Sequence, residues 1–259
     1  ADQALSSAFV PVFSELLERG DRVRAWRVAS SVFYLLFLGL GGLTALFVLL
    51  APWIMRPCGY EGEQEDLLVG LSCLLFPTVI LLGLSGVIVG ILNSYEQFSI
   101  PALTPVAWNL VIIAGLVIGV PQATSESAEL YVYAGSIVPG TAFPLLLSLP
   151  WLAGLDGRLR VAIDWRDPAV KRIFVLMLPV TLGLGLINFA AVIGTFFAAR
   201  FIDPDLSPSA IDAAFRIYML PQGMFSVAVA TVLFPALARL AARNDLETFR
   251  SMVGTGLRQ

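Results

Sequence analysis

Histidine is absent from this 259-residue chain, and charged side chains make up only 14% of it, against a hydrophobic share of 58%. A soluble domain carries roughly a quarter charged residues because its surface faces water. A mean hydropathy of +0.84 excludes that class and makes lipid the solvent. Without histidine, without paired carboxylates inside a hydrophobic run and without a glycine-rich loop of the Walker type, the chain has no recognisable catalytic set. Its two cysteines, Cys58 in a loop and Cys73 in a hydrophobic run, show no metal-ligand spacing, and nothing supports a disulfide between them. No charged segment followed by a small-residue cleavage site opens the chain, so no signal peptide is expected. It starts at Ala1-Asp2-Gln3 and stops at Gln259 as a new apolar stretch begins, which leads us to expect a fragment of a longer protein. The net charge of −3 says little about partners, since in a membrane protein the sign of each loop matters. No nucleic-acid partner is expected.

An unpaired backbone group in hydrocarbon costs several kcal/mol, so only helices or closed barrels cross a bilayer. The apolar runs here lack the alternation of barrel strands. The expected fold class is therefore all-α, a polytopic membrane helix bundle. Allowing about 20 apolar residues per crossing predicts about seven helices, near residues 1–18, 28–55, 67–92, 102–120, 129–153, 169–201 and 208–240. Turn and breaker signals separate them, such as Arg56-Pro57-Cys58-Gly59, Ser99-Ile100-Pro101 and Asp203-Pro204-Asp205.

The loop charges test that count. Basic residues collect on the cytoplasmic side of a membrane protein. Thirteen of the sixteen fall in three segments: Arg19 to Arg27, Arg158 to Arg172, and Arg239 to Arg258. The opposite loops carry Glu61, Glu63, Glu65 and Asp66, then Glu126 and Glu129, then Asp203 and Asp205. An odd number of crossings must separate each basic from each acidic loop, and the seven-helix reading supplies it, with the first helix running from outside to inside. Loop 93–101, which the count places on the inner side, holds only Glu96 and so adds no charge evidence. A weak repeat overlies this pattern: Phe9 to Asp21 resembles Leu233 to Asp245, and the copies are soon followed by Trp26-Arg27 and Phe249-Arg250. Six crossings lie between them, which suggests parallel six-helix repeats of a transporter; two amphipathic helix ends could also match by chance.

Several side chains stand out inside the spans. Pro77, Pro139, Pro144, Pro179, Pro221 and Pro235 each remove a backbone hydrogen bond and favour a kink. Gly86 and Gly90, like Gly115 and Gly119, are four apart and would let helices approach closely. Arg216 stays charged in any environment and needs a partner or water. Two readings of it are open: it reaches the outer headgroups and pairs with Asp212 one turn earlier, or it faces a cavity and grips a diphosphate with its forked donors. Asp2, Asn109, Asn188 and Gln222 are further polar candidates, each equally able to make an interhelical hydrogen bond.

Together, Ala8-Phe9-Val10-Pro11-Val12-Phe13, Gly90-Ile91-Leu92-Asn93-Ser94, Phe98 to Pro105 with Asn109, and Ala214 to Gly223 running on to Leu233-Phe234-Pro235 resemble the MurJ/MviN lipid II flippases of bacteria. The resemblance covers nearly the whole chain. It implies a two-lobed transporter of the multidrug, oligosaccharidyl-lipid and polysaccharide exporter superfamily, with a V-shaped cavity that rocks between inward-open and outward-open states. Residues 1–153 would form most of the N-terminal lobe (the family's helices 2 to 6), 154–168 a basic cytoplasmic linker, and 169–259 the start of the C-terminal lobe (helices 7, 8 and the start of 9). The implied cargo is undecaprenyl-diphosphate-linked peptidoglycan precursor, moved by a monomer in the bacterial inner membrane with no cofactor. By the same resemblance Arg216 matches the cavity arginine of the family's eighth helix, and Asp2 an acidic position near the substrate portal. The chain departs from some relatives in having Phe215 beside that arginine, and in offering only Asn188 and Thr195 as polar groups in 182–199. Coupling to sodium or to membrane potential therefore stays open. A related polysaccharide-lipid or drug exporter and a non-transporting membrane scaffold are the alternatives; a membrane enzyme would need acidic or histidine clusters that the chain lacks.

Overall fold

The computed structural model describes residues 2–55, 62–202, 206–207, 209–221, 223 and 252–254. Residues Ala1–Asn188 form one compact unit and Phe189–Gln259 a second. Helices α1 (Asp2–Glu18), α2 (Arg22–Met55), α3 (Glu63–Leu75), α4 (Thr78–Ser94), α5 (Ser99–Gly119), α6 (Glu126–Ala153) and α7 (Pro168–Phe201) follow in order, and 209–221 are also helical. All regular structure among the described residues is helical, as the hydropathy pattern requires.

Among the described residues, five stretches are long and apolar enough to cross a membrane: Arg22–Ile54, Glu63–Ser94, Ser99–Gln122, Glu126–Ala153 and Pro168–Ala198. They coincide with the five central expected spans. The first expected span is α1, 17 residues long; of the last, 208–240, the described part is largely the helical run 209–221. The expected interruption at Pro77 is present: Pro77 lacks an N–H, and between α3 and α4 the ladder gives way to bonds from Val79 to Phe76 and from Ile80 to Pro77, while Phe76 and Pro77 keep helical dihedrals. Pro139, Pro144 and Pro179 instead sit inside unbroken helices, and Pro235 lies outside the described residues.

Apolar side chains cover the outside of these helices. Leu38, Leu43, Leu46 and Leu49 of α2 and Leu110, Ile113 and Val117 of α5 are all exposed, which is the expected surface of a protein solvated by lipid. Between helices in lipid the hydrophobic driving force vanishes, so tight packing decides which faces meet. α4 is the central element of the first unit, with Leu84, Val87, Ile88, Ile91 and Leu92 buried against α1 and α2. The α1 stripe Leu5, Ala8, Phe9, Val12, Phe13 and Leu16 recurs at helical spacing and faces it. At Gly90 a β-carbon would stand 2.8 Å from the Phe9 ring; at Gly115 and Gly119 it would meet Ser136 and Val132 of α6. Three of the four glycines singled out in the sequence therefore mark close helix contacts.

The ends of the elements sort by charge. α3 begins with Glu63, Glu65 and Asp66, and α6 with Glu126 and Glu129 behind the capping hydroxyl of Ser125, which accepts from the Ala128 N–H at 3.2 Å. The C-terminal end of α1, the N-terminal ends of α2 and α7, the C-terminal end of α4 and the connector after α6 meet at the opposite, basic end through the contacts described next.

Candidate functional site

The connector between α6 and α7 carries Arg158, Arg160 and Arg166, but also three aspartates that bind it to the bundle. Asp167 accepts from Arg24 Nε at 3.1 Å and from Nη2 at 3.0 Å, a forked pair, and from the backbone N–H of Ala169 at 2.8 Å. It is thus the N-cap of α7, with Pro168 at the first helical position, where the missing N–H costs nothing. Arg22 pairs with one oxygen of Asp156, and the Tyr95 hydroxyl donates to the other. Trp26 Nε1 in turn donates to the Tyr95 oxygen at 3.3 Å. The backbone N–H groups of Arg160 and Asp164 donate to the buried hydroxyls of Ser30 and Ser31, each at 3.0 Å. Arg172 and Arg19 share Glu15, at 2.8 and 2.5 Å.

Local structure makes these meetings feasible. α1 ends in a Schellman turn: Gly20 has φ +76°, its N–H donates to Leu17, and that of Asp21 to Leu16. Asp21 then caps α2 by accepting from the Arg24 N–H at 3.3 Å. The end of α4 repeats the motif with a residue that tolerates it less, since Glu96 has φ +58° while its N–H donates to Asn93 and that of Gln97 to Leu92. Beneath the connector, Phe13, Trp26 and Tyr95 pack edge-on or tilted, 6.2–6.4 Å apart. Gly157 lies directly on Trp26, where an added β-carbon would stand 2.1 Å from the indole.

Electrostatics follows from that geometry. The hydrogen bonds from Arg24, followed by that from the Ala169 N–H, hold the Asp167 carboxyl below the usual carboxylate range against the opposing effect of burial. The Tyr95 hydroxyl, helped by the Arg22 charge, lowers Asp156 likewise. Burial, with the Asp156 hydrogen bond second, pushes the Tyr95 hydroxyl up to about 12, so it remains a donor throughout the physiological range. Among the described residues no group of three or more histidine, cysteine, aspartate or glutamate side chains could hold a metal ion.

The residues predicted from sequence are not gathered by this network. Asn109 is exposed on α5 and donates to the Pro105 carbonyl of its own helix at 2.8 Å. Asn188 is exposed on α7 and donates to Leu184 in the same way, also at 2.8 Å. No hydrogen bond joins these two asparagines. Such bonds to the preceding turn satisfy a polar group without any neighbouring helix. Asp2 opens α1, its side chain lying outside the described set, and Gln222 is outside the described residues altogether. In the second unit, Arg216 donates through Nε to Asp212 Oδ2 at 2.9 Å, with 79% of its side chain exposed. The second repeat copy, Leu233 to Asp245, also lies outside the described residues.

Sequence reasoning missed Asp156, Asp167, Tyr95 and Trp26. An Asp directly before Pro168 is a helix-start signal that would have found Asp167; the others have partners 61 to 134 residues away that no local pattern reveals.

Comparison with known proteins completes the picture. The family model described as "Lipid II flippase MurJ" matches residues 1–259. A Burkholderia cenocepacia protein named "Lipid II flippase MurJ" is 26% identical over 266 aligned residues, covering 100% of this chain and 51% of its own length. Two proteins named "Probable lipid II flippase MurJ" are each 30% identical. The one from Rhizobium tropici covers 92% of this chain and 45% of itself, and that from Rhizobium meliloti 95% and 46%. The chain spans about half the length of the curated relatives it matches. Its apolar helices, its sorted loop charges and a family match that runs from the first residue to the last agree: this chain belongs to the MurJ lipid II flippase family.

Proposed function

We propose that this multi-pass protein moves undecaprenyl-diphosphate-linked peptidoglycan precursor, lipid II, from the inner to the outer leaflet of the bacterial cytoplasmic membrane by alternating access, as a transporter and not an enzyme. The observation that carries the reading is the match of all 259 residues to the lipid II flippase family. In this reading 1–153 belong to one lobe, 154–168 to the cytoplasmic linker and 169–259 to the other lobe, and the protein works as a monomer.

Arg216 is the residue we assign to the cargo's diphosphate. Its Nε is engaged by Asp212, which leaves both terminal nitrogens without a protein partner among the described residues. A guanidinium so oriented offers two donors that match a phosphate edge, and its charge lowers the cost of carrying a diphosphate past hydrocarbon. The reading needs no cofactor, and sodium or the membrane potential is the candidate driving force. Asp2, Asn109, Asn188 and Gln222 are proposed as secondary cargo contacts.

Expressing the complete reading frame that contains this chain in a bacterium depleted of its own lipid II flippase tests both assignments. Wild type is expected to restore growth, and Arg216→Ala to fail at equal membrane abundance. Rescue by both would remove Arg216 from the mechanism; rescue by neither, with both inserted, would contradict the flippase reading.

A further inference from the structure

The first turns of α2 and the segment 156–162 that lies against them enclose a cleft of about 310 Å³. Arg22, Arg27, Arg158, Arg160 and Asp156 supply its charged lining. Arg22 is neutralised by Asp156, whose second oxygen is taken by Tyr95. Arg27, Arg158 and Arg160 have no carboxylate within ion-pair distance among the described residues. Their neighbours at the same end of the bundle differ: Arg19, Arg24 and Arg172 each have one. Three exposed arginines outside any ion pair thus border one cleft, with Asp167 acting on Arg27 only from beyond ion-pair distance; an anion between them relieves their mutual repulsion, and a phosphate is the anion that their forked donors fit best.

The position of the cleft indicates what carries that phosphate. Arg22 opens a 33-residue stretch long enough to cross a membrane, whose apolar run begins near residue 28, so the cleft lies at headgroup level beside the start of that run. Val23, 75% exposed, and the Trp26 indole give the cationic lining an apolar border. A cationic pocket with an apolar side at the membrane boundary suits the headgroup of an anionic phospholipid better than a fully solvated ion. We propose that this cleft binds a phosphate group, carried by an anionic phospholipid of the adjoining leaflet. The bound lipid bridges α2 to the connector between α6 and α7. The proposal does not depend on which cargo the protein transports.

The test uses the protein purified in a nonionic detergent, titrated with short-chain phosphatidylglycerol, with phosphatidylcholine of the same chain length, and with inorganic phosphate as competitor. Wild type is expected to bind phosphatidylglycerol in a salt-sensitive manner and phosphatidylcholine far more weakly. The triple variant Arg27→Gln, Arg158→Gln, Arg160→Gln is expected to bind phosphatidylglycerol about 10- to 100-fold more weakly. The double variant Arg19→Gln, Arg172→Gln, which removes two charges at the same end but outside the cleft, is expected to stay within about twofold. Single Arg160→Gln, expected to give an intermediate loss, covers the case in which the triple variant does not fold. Competition by inorganic phosphate at concentrations similar to the lipid would overturn the lipid as occupant and assign the cleft to a soluble phosphate; failure to compete alongside tight phosphatidylglycerol binding supports the lipid. Equal binding by wild type and the cleft variants, equal losses in both sets of variants, or no preference for phosphatidylglycerol over phosphatidylcholine would overturn the proposal.

Discussion

Asp167 accepts from both Nε and Nη2 of Arg24 and from the N–H of Ala169, so one carboxylate caps α7 and ties it to α2. Loss of an N-cap costs about 1 kcal/mol, and here the partner guanidinium is left alone as well. Asp167→Ala is therefore expected to lower the thermal midpoint of the purified protein clearly, and Asp167→Asn, which keeps the cap but not the charge, to lower it less. Because the folded carboxyl titrates below its ordinary value of 3.8, its contribution is fully present above that value and is lost as pH falls through the lower folded value. The difference in midpoint between wild type and Asp167→Asn should be constant from about pH 5 to 8 and shrink as pH falls below about 4. A difference that grows on acidification would show the ion pair to be misassigned. At this scale the sequence was only partly legible. Asn109 and Asn188 were correctly noticed as polar groups in apolar helices, but periodicity cannot say whether an amide reaches a neighbouring helix or its own preceding turn. The arginines of 154–172 were read only as marking the cytoplasmic side, whereas Asp156 and Asp167 tie that linker to the bundle.

The two Schellman turns make a matched pair at the level of the elements. Gly20 accepts its positive φ without strain, and Glu96 does not. Because a β-carbon in the left-handed region costs about 1–2 kcal/mol, Gly20→Ala is expected to destabilise by about 1 kcal/mol and Glu96→Gly to stabilise by up to that amount. Thermal unfolding of the two variants beside wild type checks both signs, and a stabilising Gly20→Ala would refute this account of the turns. Helix positions were legible because runs of about 20 apolar residues have few other uses. The interruption at Pro77 was legible as a kink, because a missing N–H breaks the hydrogen-bond ladder while helical dihedrals at Phe76 and Pro77 carry the chain through it. Loop 93–101, with Glu96 as its only charge, had its inner side from the helix count alone; the bond from Tyr95 to Asp156 puts its start at the basic end.

At the scale of the whole molecule, orientation is the property that connects fold to the proposed function, and the first unit shows it: its described apolar faces are exposed, and its acidic helix starts lie apart from the basic cluster. With the native cysteines replaced, Arg158→Cys is expected to react with a membrane-impermeant maleimide only after permeabilisation, and Ser125→Cys in intact spheroplasts. The reverse pattern would invert the topology and with it the proposed direction of transport. The proposed function rests on that direction: in it, lipid II is carried from the cytoplasmic to the outer leaflet through this family's scaffold. Its most direct test is the exposure of labelled precursor to a membrane-impermeant amine reagent in spheroplasts depleted of their own flippase and supplied with the complete reading frame. The account predicts that modified precursor appears with wild type and not with Arg216→Ala. Precursor that stays protected with wild type correctly inserted would contradict it.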